Sequence, residues 1–534
     1  MQDIKLLDCT LRDGGYINDW EFGRNTMVSV FERLVASHVD FIEVGFIDQR
    51  RQYDPNRTIF PDVKSISKSF GQLDKKDSML VGMIDFGTVD IDKICPQKES
   101  CLDGIRVIFK KAKRKAALEY VAQIKALGYK VFAQLVSITS YTDEELLDLI
   151  SLANEVKPYA VSMVDTYGLC HSDTLMHYCE ILDRELDKEI SLGYHAHNNF
   201  QLGYANCIEM LSYKTDRAVL VDGTVFGMGK SAGNCPIELL AMYLNDRRGK
   251  SYDIYQFLEA ADANILSIYN KSPWGYSMFY FIAASNDCHP SYVSYLMNKR
   301  TLSVKQVNTI LKKLEGEKKL LYDEALIESL YSDFQEKEVD DSKALETLSS
   351  ELLGQKILLL GPGTSVEEQS EDVKKFIVEN NPIVITINFI SSQVKPDYCF
   401  ITNTKRFVQL ASSLARNAST YKVIATSNVT SSSYEFDYTV KYSNLLDFNA
   451  QIMDNSFLML LKVLKKIGID HVYAAGFDGY ATDNRPNYFN PDMEYNFTSN
   501  EAAELNEYVI DSLKKLEDNG KFDVEFITRS YYKV

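Results

Sequence analysis

The sequence predicts an α/β protein: an N-terminal (β/α)8 barrel with a helical extension, followed by a C-terminal Rossmann-like α/β domain. Three observations predict it. At 534 residues the chain is too long for one hydrophobic core. Over residues 4–226, eight short β-rich apolar runs alternate with amphipathic helical stretches. From residue 356 a second alternation of strands and helices begins.

The eight runs are IKLLDC (4–9), DFIEVGF (40–46), MLVGMID (79–85), GIRVIFK (104–110), YKVFAQLVS (129–137), YAVSMVD (159–165), ISLGYHAH (190–197) and AVLVDGTVF (218–226). Between them lie stretches such as NTMVSVFERLVASH and TDEELLDLISLANEV, with apolar residues at helical spacing. An open doubly wound sheet also alternates, but rarely needs eight units in one run, so residues 1–270 read as a TIM barrel. Residues 271–335 read as a helical extension packed on the barrel, beginning with SPWGYSMFYFIAAS. The charged, apolar-poor start of QEKEVDDSKALETLSSELLGQ marks 336–355 as the linker. Residues 356–534 carry the second domain, with KILLLGPGTS, IVITINF, DYCFITN, YKVIATSN, DYTVKYS, HVYAAGFD and FDVEFITR as its strands.

Composition narrows the class. Apolar content of 45% and charged content of 25% are ordinary for a soluble globular protein. A net charge of −17 argues against a nucleic-acid or anionic-membrane surface. No apolar run is long enough to span a bilayer. Gln2, Asp3 and Lys5 stand where a secretory leader would carry its basic start and apolar stretch, so no leader is expected. Nine cysteines, scattered from Cys9 to Cys399 without a CxxC pair, fit reduced thiols and a cytoplasmic location.

In a barrel of this kind the chemistry sits at the C-terminal ends of the strands. LLDCTLRDGGYINDW (6–20) therefore places Arg12 and Asp13 on the catalytic face, with Gly14 and Gly15 read as permitting the tight turn that presents both. Strand 7 ends in His195-Ala196-His197, and residues i and i+2 of a strand share a face. The plainer reading is a pair of hydrogen-bonded strand-end histidines. Asp13 adds a carboxylate from a neighbouring point on the ring. Two imidazoles and one carboxylate with open positions suit a divalent metal that also holds a substrate, Mg²⁺ or Mn²⁺ rather than a closed zinc site. In DGTVFGMGKSAGN (222–234) the glycines let backbone approach a ligand, and Asn234 offers a carbonyl oxygen as a fourth protein ligand. Acid–base candidates at strand ends are Tyr16, Glu43, Asp85, Asp165, Tyr167 and His171. Tyr16 leads, because the neighbouring Arg12 charge would favour its phenolate. Glu43 and Asp165 read equally as hydrogen-bond partners at the barrel mouth, and His171 as solvated. Lys110 would suit a Schiff-base aldolase, which the metal set makes redundant.

Taken in order, DCTLRDGG, FIEVGF, HAHNN and GMGKSAGN resemble the DRE-TIM metallolyase superfamily over about residues 1–270. That superfamily includes 3-hydroxy-3-methylglutaryl-CoA lyase, isopropylmalate and homocitrate synthases, and 4-hydroxy-2-oxovalerate aldolase. The resemblance implies Asp13, His195 and His197 as metal ligands and Asn234 as the ligand of the lyase branch. It also implies Arg12 as the group that steadies a developing enolate oxygen. HAHNNFQLGYAN (195–206) is more similar to the aldolase branch than to the acyl-CoA condensing synthases. The lyase branch carries a cysteine in its last glycine loop, whereas Cys235 here lies beyond Asn234. The hydroxyvalerate aldolases place a histidine base where this chain has Tyr16.

The leading expectation is a divalent-metal-dependent aldolase that cleaves or forms a 4-hydroxy-2-oxo acid through a pyruvate-type enolate. Its partners would be a 2-oxo acid and an aldehyde, the latter sugar-like if the protein serves surface-carbohydrate biosynthesis. The alternatives are a Claisen-type acyl-CoA/2-oxo acid synthase, a bifunctional aldolase with a glycosyltransferase-like second domain, and a non-catalytic scaffold. In the second domain, GPGTS (361–365) follows a strand and could turn around a phosphate, although it is neither GxGxxG nor a P-loop. Residues 354–534 resemble bacterial sialyltransferase-like surface-polysaccharide domains, which implies a nucleotide or sugar ligand. His471 opens an apolar strand and reads as structural. A homo-oligomer is also expected.

Overall fold

A computed structural model describes residues 3–299, 302, 304–319, 321–335, 339–391, 393–416, 420–431, 434–447, 450, 453–483, 485–493, 499–518 and 522–533. It divides into two compact units, Met1–Pro290 and Ser291–Val534. Among the described residues no helix is long and apolar enough to cross a membrane.

The first unit is a closed parallel barrel of eight strands: β1 (Ile4–Asp8), β2 (Phe41–Ile47), β3 (Met79–Asp85), β4 (Gly104–Phe109), β5 (Lys130–Val136), β6 (Ala160–Asp165), β7 (Ser191–Ala196) and β8 (Val219–Gly223). Closure runs through β1, which pairs with β8 along Ile4–Asp8 and with β2 at Leu7 and Asp8. A two-residue strand, Ile59–Phe60, adds to the outer edge of β2. Every residue of β2, β6, β7 and β8 is buried. Helices cover one face of each strand and the barrel interior covers the other, which is why the runs read as continuously apolar.

The interior is layered. Leu7, Cys9, Phe41, Val81, Phe132, Ala160 and Leu220 pack as an apolar plug. Two residues further along their strands, Phe41 is followed by Glu43, Phe132 by Gln134, Ala160 by Ser162 and Leu220 by Asp222. The two-residue period puts these polar groups on the same inward face, one step nearer the C-terminal mouth. Arg106 of β4 and His195 of β7 join this layer, and all six are buried.

Six of the seven crossovers carry α-helices, for example Arg24–Ala36, Arg114–Ala126 and Asp143–Val156. The last of these starts with a capping box, Thr142 Oγ1 accepting from Glu145 N while Glu145 caps Thr142 N. The crossover from β3 to β4 departs from the strand–helix expectation, because it holds only the 3₁₀ turns Ile91–Lys93 and Gln97–Glu99. Pro96 lies between them, removing a backbone donor and keeping Cys95 extended.

The stretch 271–335 holds helices, and the unit boundary at Pro290 falls within it. Helix Met278–Ser285 belongs to the first unit, and Val304–Leu311 and Glu324–Gln335 belong to the second. Of the stretch read as a linker, 336–338 lie outside the described residues. Ser342–Leu352 is a helix whose Leu348 and Leu352 are fully buried in the second unit's core. Its apolar residues come at helical spacing only after the charged start, and that start governed the linker reading.

The second unit is a seven-stranded, all-parallel sheet: β9 (Ile357–Leu360), β10 (Ile383–Ile387), β11 (Tyr398–Ile401), β12 (Lys422–Thr426), β13 (Tyr438–Val440), β14 (His471–Ala475) and β15 (Asp523–Phe526). Their order is β13-β12-β11-β10-β9-β14-β15. The chain starts at an interior strand, winds outward on one side, then returns to the other. The reversal falls between β9 and β14.

The glycine of FIEVGF has a structural reason. Gly45 has φ +149 and stands where the pairing of β2 with β3 shifts register between Glu43 and Phe46. A Cβ there would lie 2.0 Å from the Thr58 carbonyl oxygen. Gly45→Ala is expected to destabilise the barrel by about 2 kcal/mol or more, read as a lowered midpoint in urea unfolding.

Candidate active site

Four buried elements meet at the barrel mouth. After β1 the chain enters two one-turn helices, Thr10–Asp13 and Gly15–Asn18. Asp8 starts this loop by accepting from Thr10 N at 2.9 Å and Thr10 Oγ1 at 2.7 Å. Thr10 Oγ1 in turn accepts from Val225 N at 2.8 Å, tying the loop after β1 to the loop after β8. The expected role of the two glycines needs correction. Gly14 is right-handed helical, with φ −57 and ψ −28, so no special turn is required. Close approach is what excludes a side chain: a Cβ on Gly14 would lie 2.3 Å from Thr10 O, and one on Gly15 only 1.9 Å from the Trp20 ring. Trp20 Nε1 then donates to Arg12 O at 2.8 Å.

Arg12 is 5% exposed and held on two sides. Its Nε donates to Glu43 Oε2 at 2.7 Å, and its Nη1 pairs with Asp13 Oδ1. Glu43 Oε2 also accepts from Arg106 Nη1 at 3.0 Å. Arg106 continues through Nη2 to Gln134 Oε1 at 2.9 Å and to Asp222 Oδ2. Asp222 Oδ2 lies 3.0 Å from His195 Nδ1. A buried chain of charge thus runs from Arg12 through Glu43, Arg106 and Asp222 to His195. Arg106 and Asp222 were not singled out from the sequence. Their signal was a charge at an inward position inside two apolar strands, GIRVIFK and AVLVDG.

The structure brings the expected ligand set together. Asp13, His195 and His197 each present a ligand atom within 4.8 Å of one another, and the two imidazoles lie 5.1 Å apart edge to face. The Asp222 carboxylate accepts from His195 Nδ1–H, which fixes the tautomer and leaves the Nε2 lone pair. His197 is set the same way, its Nδ1 donating to Lys230 O at 3.1 Å. Asn234 Nδ2 donates to Asp13 Oδ2 at 2.7 Å, which turns Oδ1 away from Asp13. His195 Nε2 and Asn234 Oδ1 are buried with no hydrogen-bond partner. Arg12 and Arg106 meet three buried carboxylates, Glu43, Asp222 and Asp13, and the Lys230 ammonium also acts on Asp13. Orphaned lone pairs on an imidazole and an amide, beside a carboxylate, fit a divalent cation.

Electrostatics support the same protonation states. Burial pushes the Asp13 carboxyl up, but Arg12, the two histidines and Asn234 outweigh it, and the group sits well below the usual carboxylate range. Burial drives His197 down to about 3 against the pull of Asp13, so its imidazole is neutral. Burial also raises Asp222, and the Arg106 charge and the His195 bond reverse that to a net lowering.

The remaining candidates divide. Glu43 holds Arg12 and Arg106, the hydrogen-bonding alternative of the sequence reading. Asp165 accepts from Leu169 N at 2.8 Å and Cys170 N at 3.1 Å, fastening the loop after β6; burial, opposed by these donors, puts it at about 6. Tyr16 lies at the mouth, 41% exposed, with the Lys230 Nζ 5.3 Å from its ring centroid. The expectation that Arg12 favours its phenolate does not hold. Desolvation and the Asp13 carboxylate raise the phenol, and the Arg12 charge opposes them only in part. Desolvation raises Asp85 as well, against Lys110 and Lys113. Cys235 is buried and its thiol is pushed well up, so it carries no nucleophile.

Residues 3–263 match the family model described as HMGL-like. Over 279 residues the chain is 26% identical to oxaloacetate decarboxylase of Mycobacterium tuberculosis, covering 51% of this chain and 79% of that protein. Over 285 residues it is 27% identical to 4-hydroxy-2-oxovalerate aldolase of Chloroflexus aggregans, again 51% and 79%. The solved HMG-CoA lyase of Bacillus subtilis aligns with 51% of this chain and 94% of its own, at 16% identity and a TM-score of 0.41.

Asp222→Asn is expected to weaken divalent-metal binding about 10–100-fold, because the amide no longer enforces the Nδ1–H tautomer of His195. Calorimetric titration of metal-stripped protein with Mn²⁺ measures it. Unchanged affinity would show that Asp222 serves Arg106 alone.

Proposed function

We propose that the HMGL-like barrel is a divalent-metal-dependent carbon–carbon lyase of the aldolase type, acting on a 4-hydroxy-2-oxo acid with a pyruvate-type enolate as the shared intermediate. One observation carries the reading: the ligand atoms of Asp13, His195 and His197 gather within 4.8 Å of one another beside the Arg12 guanidinium, and His195 Nε2 and the nearby Asn234 Oδ1 are buried without a partner. In this reading Asp13, His195, His197 and Asn234 hold the cation, Mn²⁺ or Mg²⁺. A divalent cation bound there supplies a Lewis acid for the keto oxygen of a 2-oxo acid.

The chain's own residues do the rest. Arg12, fixed by Glu43 and Asp13, keeps a rigid donor where oxyanion charge develops. In cleavage the 4-hydroxyl gives up its proton, the C3–C4 bond breaks, an aldehyde leaves and the electron pair becomes the enolate. Protonation at C3 then yields the 2-oxo acid. Tyr16, held as a neutral phenol at the mouth, donates its proton to the alkoxide in the addition direction and is left as phenolate; cleavage runs the same step in reverse, the phenolate taking the 4-hydroxyl proton. Lys230 is placed to meet the substrate carboxylate, since its ammonium lies over the Tyr16 ring and beside the metal set.

The relatives named 4-hydroxy-2-oxovalerate aldolase support this substrate class. The one named oxaloacetate decarboxylase supports a second reading, in which a carboxylate leaves as CO₂ and the same enolate remains. The free cysteines of both units are consistent with work in the cytoplasm. A nucleotide or a sugar as ligand of the second unit belongs to the same proposal, supported by its open parallel sheet.

The enzyme with Mn²⁺ is expected to exchange the methyl protons of pyruvate for deuterium without any aldehyde, as NMR in D₂O detects. Chelator should abolish exchange, and His195→Ala should lose bound metal by elemental analysis. Arg12→Ala should slow exchange about 10²–10³-fold with metal retained. Full exchange in excess EDTA would remove the metal reading. Aldehyde from a 4-hydroxy-2-oxo acid separates aldolase from decarboxylase, and thiol release from acetyl-CoA with a 2-oxo acid would favour the Claisen alternative.

A further inference from the structure

The second unit contains a cavity of about 600 Å³, within the usual range for small-molecule sites. Pro362 and Gly363 follow β9, Asn388 follows β10, Asn403 follows β11, and Gly476 and Phe477 follow β14; all line it. It therefore opens at the C-terminal ends of the strands, across the reversal between β9 and β14. In open parallel sheets that crevice is where ligands bind, because the connections on either side leave in opposite directions. We propose that this cavity binds a neutral, hydroxyl-bearing ring, the ribose-and-base of a nucleoside or a sugar. The proposal rests on the reading above that the second unit takes such a ligand, and it supplies the place and the chemistry.

Phosphate is not what the walls recognise. The GPGTS turn, read from sequence as a phosphate cradle, is already filled by a carboxylate of the protein. Asp478 accepts from Ser365 N at 2.8 Å, from Thr364 Oγ1 at 3.1 Å and from Ser365 Oγ. Closeness of the two loops explains the glycines, since a Cβ on Gly363 would lie 2.6 Å from Asp478 Oδ1. The two lining cations are engaged as well. Arg406 Nη2 donates to Met493 O at 2.5 Å and Nη1 to Gln409 Oε1 at 3.1 Å. Lys299 pairs with Glu328 at 3.2 Å. Asp454, Asp478 and Glu501 in the wall would repel an anion.

Hydroxyl recognition fits better. Asn388, Asn403, Asn455 and Asn487 place amides around the cavity; Asn403 and Asn455 accept from backbone N–H groups through Oδ1, and the Nδ2 of each is a donor for a ligand hydroxyl. Asn388 is held rigidly: its Nδ2 donates to Ser456 Oγ at 2.8 Å and Thr402 Oγ1 at 3.1 Å, and its Oδ1 accepts from Thr402 N at 3.0 Å. Its backbone has φ +59, a left-handed conformation at the strand end that the surrounding bonds sustain. Phe457 and Phe477 stack at 4.0 Å and 23°, giving the cavity an aromatic side for a flat or puckered ring.

Saturation-transfer NMR on the full chain tests this, with cytidine, uridine, adenosine and guanosine in one arm and glucose, galactose and N-acetylglucosamine in the other. At least one arm should show transfer at millimolar ligand, and the responding arm identifies the source. Met453→Trp and, on another wall, Leu505→Phe fill the cavity and should each weaken the response about tenfold or more. Unchanged pyruvate exchange and an unchanged melting curve certify that each variant is folded. No transfer to any probe with wild-type protein overturns the ring ligand and the ligand reading together. Transfer that persists in a folded filled variant overturns this cavity alone.

Discussion

The Glu43 carboxylate is the point on which the barrel site depends. One oxygen, Oε2, receives both Arg12 and Arg106 inside a fully buried strand. Bringing two guanidinium groups and a carboxylate out of water is costly, and their mutual attraction offsets that cost only in good geometry. Here the geometry spreads outward. Arg106 goes on to Asp222 and His195, while Arg12 goes on to Asp13 and Asn234. One arm ends at His195, whose Nε2 is open, and the other at Asn234, whose Oδ1 is open. The orientation of the proposed metal ligands is thus inherited from a carboxylate that touches none of them.

That arrangement is possible because the barrel interior is layered. The apolar plug below fixes the strands, and the polar layer above pairs within itself except at Glu43 Oε1, Arg106 Nε and His195 Nε2, which are buried without a partner. A dry, prepositioned charge network holds its dipoles in place without reorganisation, which is the condition for electrostatic catalysis. The loops closing the mouth are pinned to the same frame. Asp8 and Thr10 join the first and last loops, and Asp165 fastens the sixth.

The second unit solves a related problem in the opposite way. Its glycine turn after β9 resembles an anion cradle in sequence, yet Asp478 from the loop after β14 supplies the anion from within. The strand ends are left lined by amides and aromatic rings rather than by unpaired positive charge. The ring ligand proposed above would be told apart there by hydrogen-bond pattern and shape rather than by charge.

The barrel strands, their order and the Asp13, His195 and His197 set were legible in the sequence, because periodicity and strand-end position are local properties. The residues around them were not. Arg106 and Asp222 are distant in sequence, and only barrel closure makes the two a pair. The glycines after Arg12 looked like turn formers, and only the positions of Thr10 O and Trp20 show that space is their reason. Tyr16 stood near a cation in sequence, but folding also partly desolvates its phenol and sets it near Asp13, which reverses the expected shift. The same holds for the helix Ser342–Leu352, whose buried leucines were hidden behind a charged start. Sequence by itself determined which residues line each face, since that follows from periods of two and 3.6. Tertiary structure decided which charges meet and which atoms stay open, because a carboxylate's or an imidazole's state is set by the partners that burial leaves it.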